Sequence, residues 1–443
     1  MTRLAAGLIK RQPLRGYGHL FIPNRFHIFV FFIAFLMRAF AQTDPEAELR
    51  ESLAGARAAL ELKQAMTNEA FNMHYGRVGF QTEARVAASY TDNVFLSGVN
   101  KRDDFIITPE VKLAALVPVS ELNALRLSLG ISYEWFAKNH SLNGDAPLVS
   151  PDSELVFNIF AGDFRFRLHD KFSYQQTLAF NDQSADQTRI YNFNDVGRFD
   201  RFDNFVGPRV DWDLNKVILS VSYDHENFVS TTEQFKYLDR ASEWFTGTFN
   251  YLLGKQTKVG LETQAGLHNY DYQTIMQDNW RDRVGPFAEM RLPEGLFLRA
   301  GGGYDMARFD RAAIPENDYD NWYAYAKLGQ ELRWLSHALS AGRETVIGDN
   351  ANNLRNTYVR YSVSSEAIKD LFLEGNLAAN FSKEFGGEFY EQFIQYVAGF
   401  SVGYQFHKYW RANLGYEIFF KDSDTPQRSF HRNLVSLDVT FKF

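Results

Sequence analysis

The sequence contains no cysteine, so neither a disulfide nor a thiolate metal site is available to it. It contains no run of 18 or more apolar residues, which excludes a bundle of membrane-spanning helices. Beyond residue 41 it has no lysine- or arginine-rich run, and its net charge is −7, so nucleic acid is not an expected partner. G-x-S-x-G, H-E-x-x-H and P-loop motifs are all missing. Gly301-Gly302-Gly303 lies inside an alternating segment with no helix after it, so it does not cradle phosphate. The ten His residues are scattered. No catalytic residue, metal or cofactor is therefore expected. A sequence repeat of fixed length is also lacking, which excludes solenoids and propellers.

What is abundant is aromatic residue and period-2 alternation. Aromatics make up 16% of the chain and 41 residues are Phe. The last stretch, 429–443, shows the pattern: Val435, Leu437, Val439, Phe441 and Phe443 alternate with Ser436, Asp438, Thr440 and Lys442. Similar runs are read at 78–91, 103–117, 123–137, 153–167, 170–182, 202–214, 217–229, 240–252 and 256–270. They continue at 281–292, 295–309, 319–333, 335–347, 354–365, 369–383, 391–405 and 409–421. That is about 18 strands, most of them longer than the roughly 9–11 residues that cross a bilayer at a tilt. Short connections alternate with long ones, as in barrels with periplasmic turns and external loops. The expected fold is an all-β, closed antiparallel transmembrane β-barrel over 77–443. An even strand number puts both termini in the periplasm.

The front of the chain differs. Arg3, Lys10, Arg11, Arg15, Arg25 and Arg38 precede or flank Phe26–Met37, and Ala39-Phe40-Ala41 offers a small-x-small cleavage site. Residues 1–41 therefore read as a signal peptide. Residues 42–76 read as a helical periplasmic or plug-like segment, with Leu49, Leu53, Leu60 and Met66 at roughly helical spacing.

Lipid-facing positions must be apolar, so charged strand residues should line the lumen. The alternation puts Arg165, Arg167, Arg209, Asp211, Arg281, Arg283, Arg291, Arg299, Arg360, Arg411 and Glu417 inside. Arg281, Arg283, Arg291 and Arg299 form either a basic ladder that favours anions or part of a salt-bridged wall. In the third long connection and the strand after it, Tyr191, Phe193, Asp195, Phe199, Asp200 and Phe202 interleave aromatics with carboxylates. They are candidates for a constriction or for contact with sugars, unless they form an aromatic girdle. Leu437→Arg should impair assembly, whereas Asp438→Asn, on the water side, should be tolerated.

Residues 89–113 resemble the opening hairpin of the β-barrel porin 2 family of outer-membrane proteins. They read Ser89-Tyr90-Thr91-Asp92-Asn93-Val94-Phe95-Leu96-Ser97 and then Asp103-Asp104-Phe105-Ile106-Ile107-Thr108-Pro109. The resemblance implies an outer-membrane pore in contact with lipid, and related barrels in exopolysaccharide secretion leave export as an alternative. Phe441 and Phe443, at the end of the last strand, are similar to the assembly signal by which such barrels engage the barrel-assembly machinery. Passive diffusion of small polar solutes through a charged lumen is the expected function. A structural barrel with an occluded lumen is the further alternative, and homo-oligomerisation stays open.

Overall fold

The computed structural model describes residues 71, 73–176, 199–254, 256–310, 318–387, 389–425 and 427–442. The expected signal peptide, nearly all of the segment expected to be a helical lead-in, Tyr191, Phe193, Asp195 and Phe443 lie outside these residues. The strand segments are β1 (Met73–Tyr75), β2 (Val78–Thr91), β3 (Asp104–Pro118), β4 (Ala124–Ser132), β5 (Trp135–Phe136), β6 (Leu148–Val149) and β7 (Glu154–Ala161). Next come β8 (Phe164–Gln176), β9 (Asp200–Asp213), β10 (Val217–Ser230), β11 (Arg240–Leu252), β12 (Thr257–Tyr270), β13 (Asn279–Arg291) and β14 (Leu296–Phe309). The last are β15 (Tyr319–Glu331), β16 (Leu335–Ile347), β17 (Asn353–Ile368), β18 (Leu371–Phe385), β19 (Glu391–His407), β20 (Trp410–Ser423) and β21 (Phe430–Lys442).

These segments make a closed antiparallel barrel of 18 strands. β4 and β5 are one strand broken at Tyr133 and Glu134, since both pair with β3. β6 and β7 are likewise one strand, both paired with β4. β1 is a short flap on β2, so the lead-in ends in a strand and not a helix. Each barrel strand pairs with its neighbours in sequence, and β21 pairs with β2 from Glu83↔Lys442 to Thr91↔Leu434. That closing seam removes the free edges an open sheet would present.

One turn departs from the sequence reading. The 153–167 run was expected to turn at Leu168–His169, but the chain turns at Gly162 and Asp163. Gly162 takes φ +57°, a conformation that costs a residue with a Cβ but not glycine. Apolar outward positions pass from Leu155, Phe157 and Ile159 to Phe164, Phe166 and Leu168. The change of phase marks the turn.

The two faces of the wall differ sharply. Val86, Val111, Leu127, Val221, Leu261, Leu377, Leu414 and Leu437 stand exposed on one face. Paired residues share a face, and Leu437 faces the same way as its partners Ala88 and Leu414. So much exposed apolar surface suits hydrocarbon, not water. The opposite face carries the charges.

Candidate functional site

The inward charges come mostly in pairs. Arg85 donates to Asp438 (Nε–Oδ1 3.1 Å) and to Glu110 (Nη1–Oε2 3.4 Å), tying β21, β2 and β3 together. Asp438 is only 6% exposed and also accepts from Asn413. Asp438→Asn, expected to be tolerated, would weaken the closing seam that this carboxylate holds. Arg167 meets Glu154 at 2.6 Å, Arg209 meets Asp211 at 2.9 Å, and Arg432 meets Glu417 at 2.9 Å. Arg411 approaches Glu374 at 3.8 Å and lies over the Phe372 ring. Arg165 reaches Asn158 at 3.5 Å and covers Phe160, while Arg360 stacks 3.9 Å above Tyr358.

The same holds for the suspected basic ladder. Arg281 is buried and donates to Asn279, to the Asn352 carbonyl at 2.7 Å and to Asn353 Oδ1 at 2.8 Å. Arg283 donates to Asp305 at 3.4 Å and to the Thr345 carbonyl at 3.3 Å, over the Tyr323 ring. Arg299 lies 3.5 Å from Glu262 and over Phe287 and Tyr325, whose hydroxyl also donates to Glu262. Arg291 is exposed at the far end of β13. These contacts describe a cross-linked wall and not a continuous line of open cations.

The partners of Arg281 and Arg283 reveal the main feature of the lumen. β15 pairs with β16 only from Glu331↔Ser336 to Ala324↔Arg343. Beyond that point β15 stays on β14 as far as Ala307↔Tyr319. β16 stays with β17 to Ile347↔Asn353, and β17 with β18 to Asn353↔Phe385. The β16–β17 tip has therefore left the wall, and its contacts show that it turns inward. Arg283 and Arg281 reach it from β13. Gln277 N donates to Asn352 Oδ1 at 2.9 Å, and Tyr237 Oη donates to the Asp349 carbonyl at 3.0 Å. Tyr237 sits on the link between β10 and β11, so this bond spans the mouth. Burial, then nearby Asp349 and Glu384, push the Tyr237 phenol above its ordinary range, which keeps it a donor.

A loop buried this deeply must satisfy its own backbone. Asp349 is 1%, Ala351 0% and Asn352 2% exposed. Glu384 accepts from the backbone N–H groups of Asp349 and Asn350, and Asn352 N donates to the Gly386 carbonyl at 2.8 Å. A Cβ on Gly348 would stand 2.2 Å from the Ala351 oxygen, so only glycine fits there. The strand edges freed by the split are capped by side chains. Asn321 Oδ1 accepts from Trp322 N at 3.0 Å, and Arg283 caps Thr345.

Around this tip the mouth is packed. Phe199, Phe228, Phe235, Leu238, Trp244, Tyr270, Met276 and Ile347 form one buried cluster. Within it Arg240 and Glu226 pair at 2.8 Å with both side chains 1% exposed, and Trp244 Nε1 donates to Glu226 at 2.8 Å. On the other side, Leu96 packs with Phe419 and Phe430, next to Lys421 and Arg428 on Glu391, each at 2.9 Å. Of the described constriction candidates, Phe199 is in the first core and Asp200 is buried beside Thr232, whose hydroxyl accepts from Asp200 N. Phe202 is 38% exposed on the outer face with Val206 and Val229. Phe441 packs on Trp410 at 4.5 Å between ring centroids.

Sequence reasoning missed the β16–β17 tip, although a signal exists. Thr345, Asn353 and Arg355 are polar residues in the phase reserved for lipid. Asp92-Asn93, read as part of a turn motif, also gains a role. Asn93 is fully buried, bonds twice to Ser97, and donates to the His431 carbonyl at 2.9 Å. Asp92 accepts from Asn433 Nδ2 at 2.6 Å. The first long link is thereby pinned to the last strand.

Below the mouth the wall from β16 to β21 carries small residues. A cavity of about 480 Å³ opens there, lined among others by Ser362, Glu374, Asn376, Ser401, Asn413 and Asp438. A closed ring of antiparallel strands, apolar outside and charged inside, defines the chain as a transmembrane β-barrel. No family model matches the sequence, and no curated protein matches it. Among solved structures it is similar to Pseudomonas aeruginosa OpdK with vanillate (10% identity, TM-score 0.47, 82% of this chain and 99% of that one). It is also similar to P. aeruginosa OccK2 (OpdF) in complex with glucuronate (10%, 0.48, 83% and 98%). A third is Acinetobacter baumannii OccAB3 (12%, 0.46, 82% and 99%). The fold itself rests on the ring of strand pairs.

Proposed function

We propose that the protein is an outer-membrane channel for passive diffusion of small polar solutes, narrowed at one end by the β16–β17 tip. The observation that carries this reading is the water-compatible cavity inside a closed, lipid-facing barrel. A barrel of this strand number is too wide for its side chains to fill, and the small residues of β16–β21 leave the space open. The alternation of short and long links supports periplasmic termini, with the narrowed end outside. The 89–113 hairpin supports kinship with the β-barrel porin 2 family. The paired charges suit neutral hydroxylated solutes better than a strongly charged one. Liposome swelling tests the reading: vesicles holding the purified protein should swell in isotonic pentose or hexose faster than empty ones.

The packed mouth favours a second reading, a structural barrel with an occluded lumen. Swelling no faster than in empty vesicles, for every sugar tried, would sink the channel and leave that reading.

A further inference from the structure

Where β16 leaves β15, the wall has a notch on the side of the long links. Trp322, 53% exposed, stands at its rim with Arg343 stacked on its ring at 4.5 Å. Arg355 stacks on Phe385 at 5.0 Å. Arg343 is opposite Thr357 and Arg355 opposite Thr345, so the two arginines are diagonal neighbours on one face. Their Nε atoms are buried without a hydrogen-bond partner, and neither guanidinium has an ion pair among the described residues. The acids nearby are engaged. Asp320 accepts from Arg308 at 2.6 Å, and Asp305 accepts from Tyr319 at 3.2 Å and Arg283 at 3.4 Å. Arg343 stands at the edge of the lipid-facing wall and Arg355 just inside it, over Phe385, which packs on Tyr319. The two guanidiniums repel each other unless an anion lies between them.

We propose that this notch binds the phosphate of a phosphorylated lipid in the outer leaflet. Forked guanidiniums match phosphate oxygens in geometry as well as charge. Their stacking on Trp322 and Phe385 fixes them before the ligand arrives. A lipid is favoured over free phosphate by the surface beneath. Leu328, Leu339 and Val359, exposed by 44%, 45% and 47%, continue the same strands as an apolar strip where acyl chains would lie. The inference rests on the outer-membrane placement, which density fractionation of membranes tests separately.

The experiment is native mass spectrometry of the whole detergent-purified chain with three probes: bisphosphorylated lipid A, dephosphorylated lipid A and inorganic phosphate. The native protein should retain the bisphosphorylated form about tenfold better than the dephosphorylated one. Arg343→Ala with Arg355→Ala should erase that preference, while Arg343→Lys with Arg355→Lys should keep part of it. Heat-modifiable gel migration confirms folding, and the comparison of the two lipids needs no variant. Equal retention of the two lipids overturns the proposal, as does a preference unchanged in the folded double-alanine variant. Complete displacement of lipid by millimolar inorganic phosphate overturns the lipid assignment.

Discussion

Leu437 and Asp438 are adjacent yet face opposite media. Leu437→Arg puts a charge into lipid and should cost about 2–4 kcal/mol near the midplane. Asp438→Asn weakens the bond to Arg85, which is partly open to solvent, so about 1 kcal/mol is expected. Denaturant titration of the refolded barrel should rank the leucine change as the more severe; the reverse order would contradict the register. Glu226→Ala is the harsher test of the mouth. It leaves Arg240 buried and removes the acceptor of Trp244, for an expected loss of about 3–5 kcal/mol. Asp438 was legible in the sequence as a water-side residue. Its partner was not, because Arg85 lies far away in the chain, on the first barrel strand, and only closure brings the two together.

The strands were legible because the bilayer imposes a period-2 contrast on every one of them. Two features were harder to read. The turn at Gly162 hides inside a run whose apolar phase shifts by one, and a shift of that kind is easily taken for continued alternation. The β16–β17 tip keeps strand pairing after leaving the wall, and its only mark in the sequence is the polar Thr345, Asn353 and Arg355 in the phase that elsewhere faces lipid. The aromatic third link is the more conspicuous stretch of the sequence, yet its Phe199 lies in the buried core of the mouth. The absence of cysteine offers a direct check of the tip. With Gln277→Cys and Asn352→Cys, a disulfide should form on oxidation and change gel migration reversibly. Failure to form it in the folded barrel would mean that the tip does not reach the 271–278 link.

The whole molecule joins a closed barrel, a small-residue cavity along β16–β21, and a mouth into which turns a hairpin held by Tyr237, Arg281 and Arg283. These donors reach the tip from other links and strands, so loosening them should widen the passage without opening the wall. Single-channel conductance of Tyr237→Phe with Arg281→Ala, compared with the native protein in planar bilayers, tests this most directly. The native barrel should show a small, steady conductance and the variant one several-fold larger. A folded variant with the native conductance would contradict the assignment of the β16–β17 tip as the constriction.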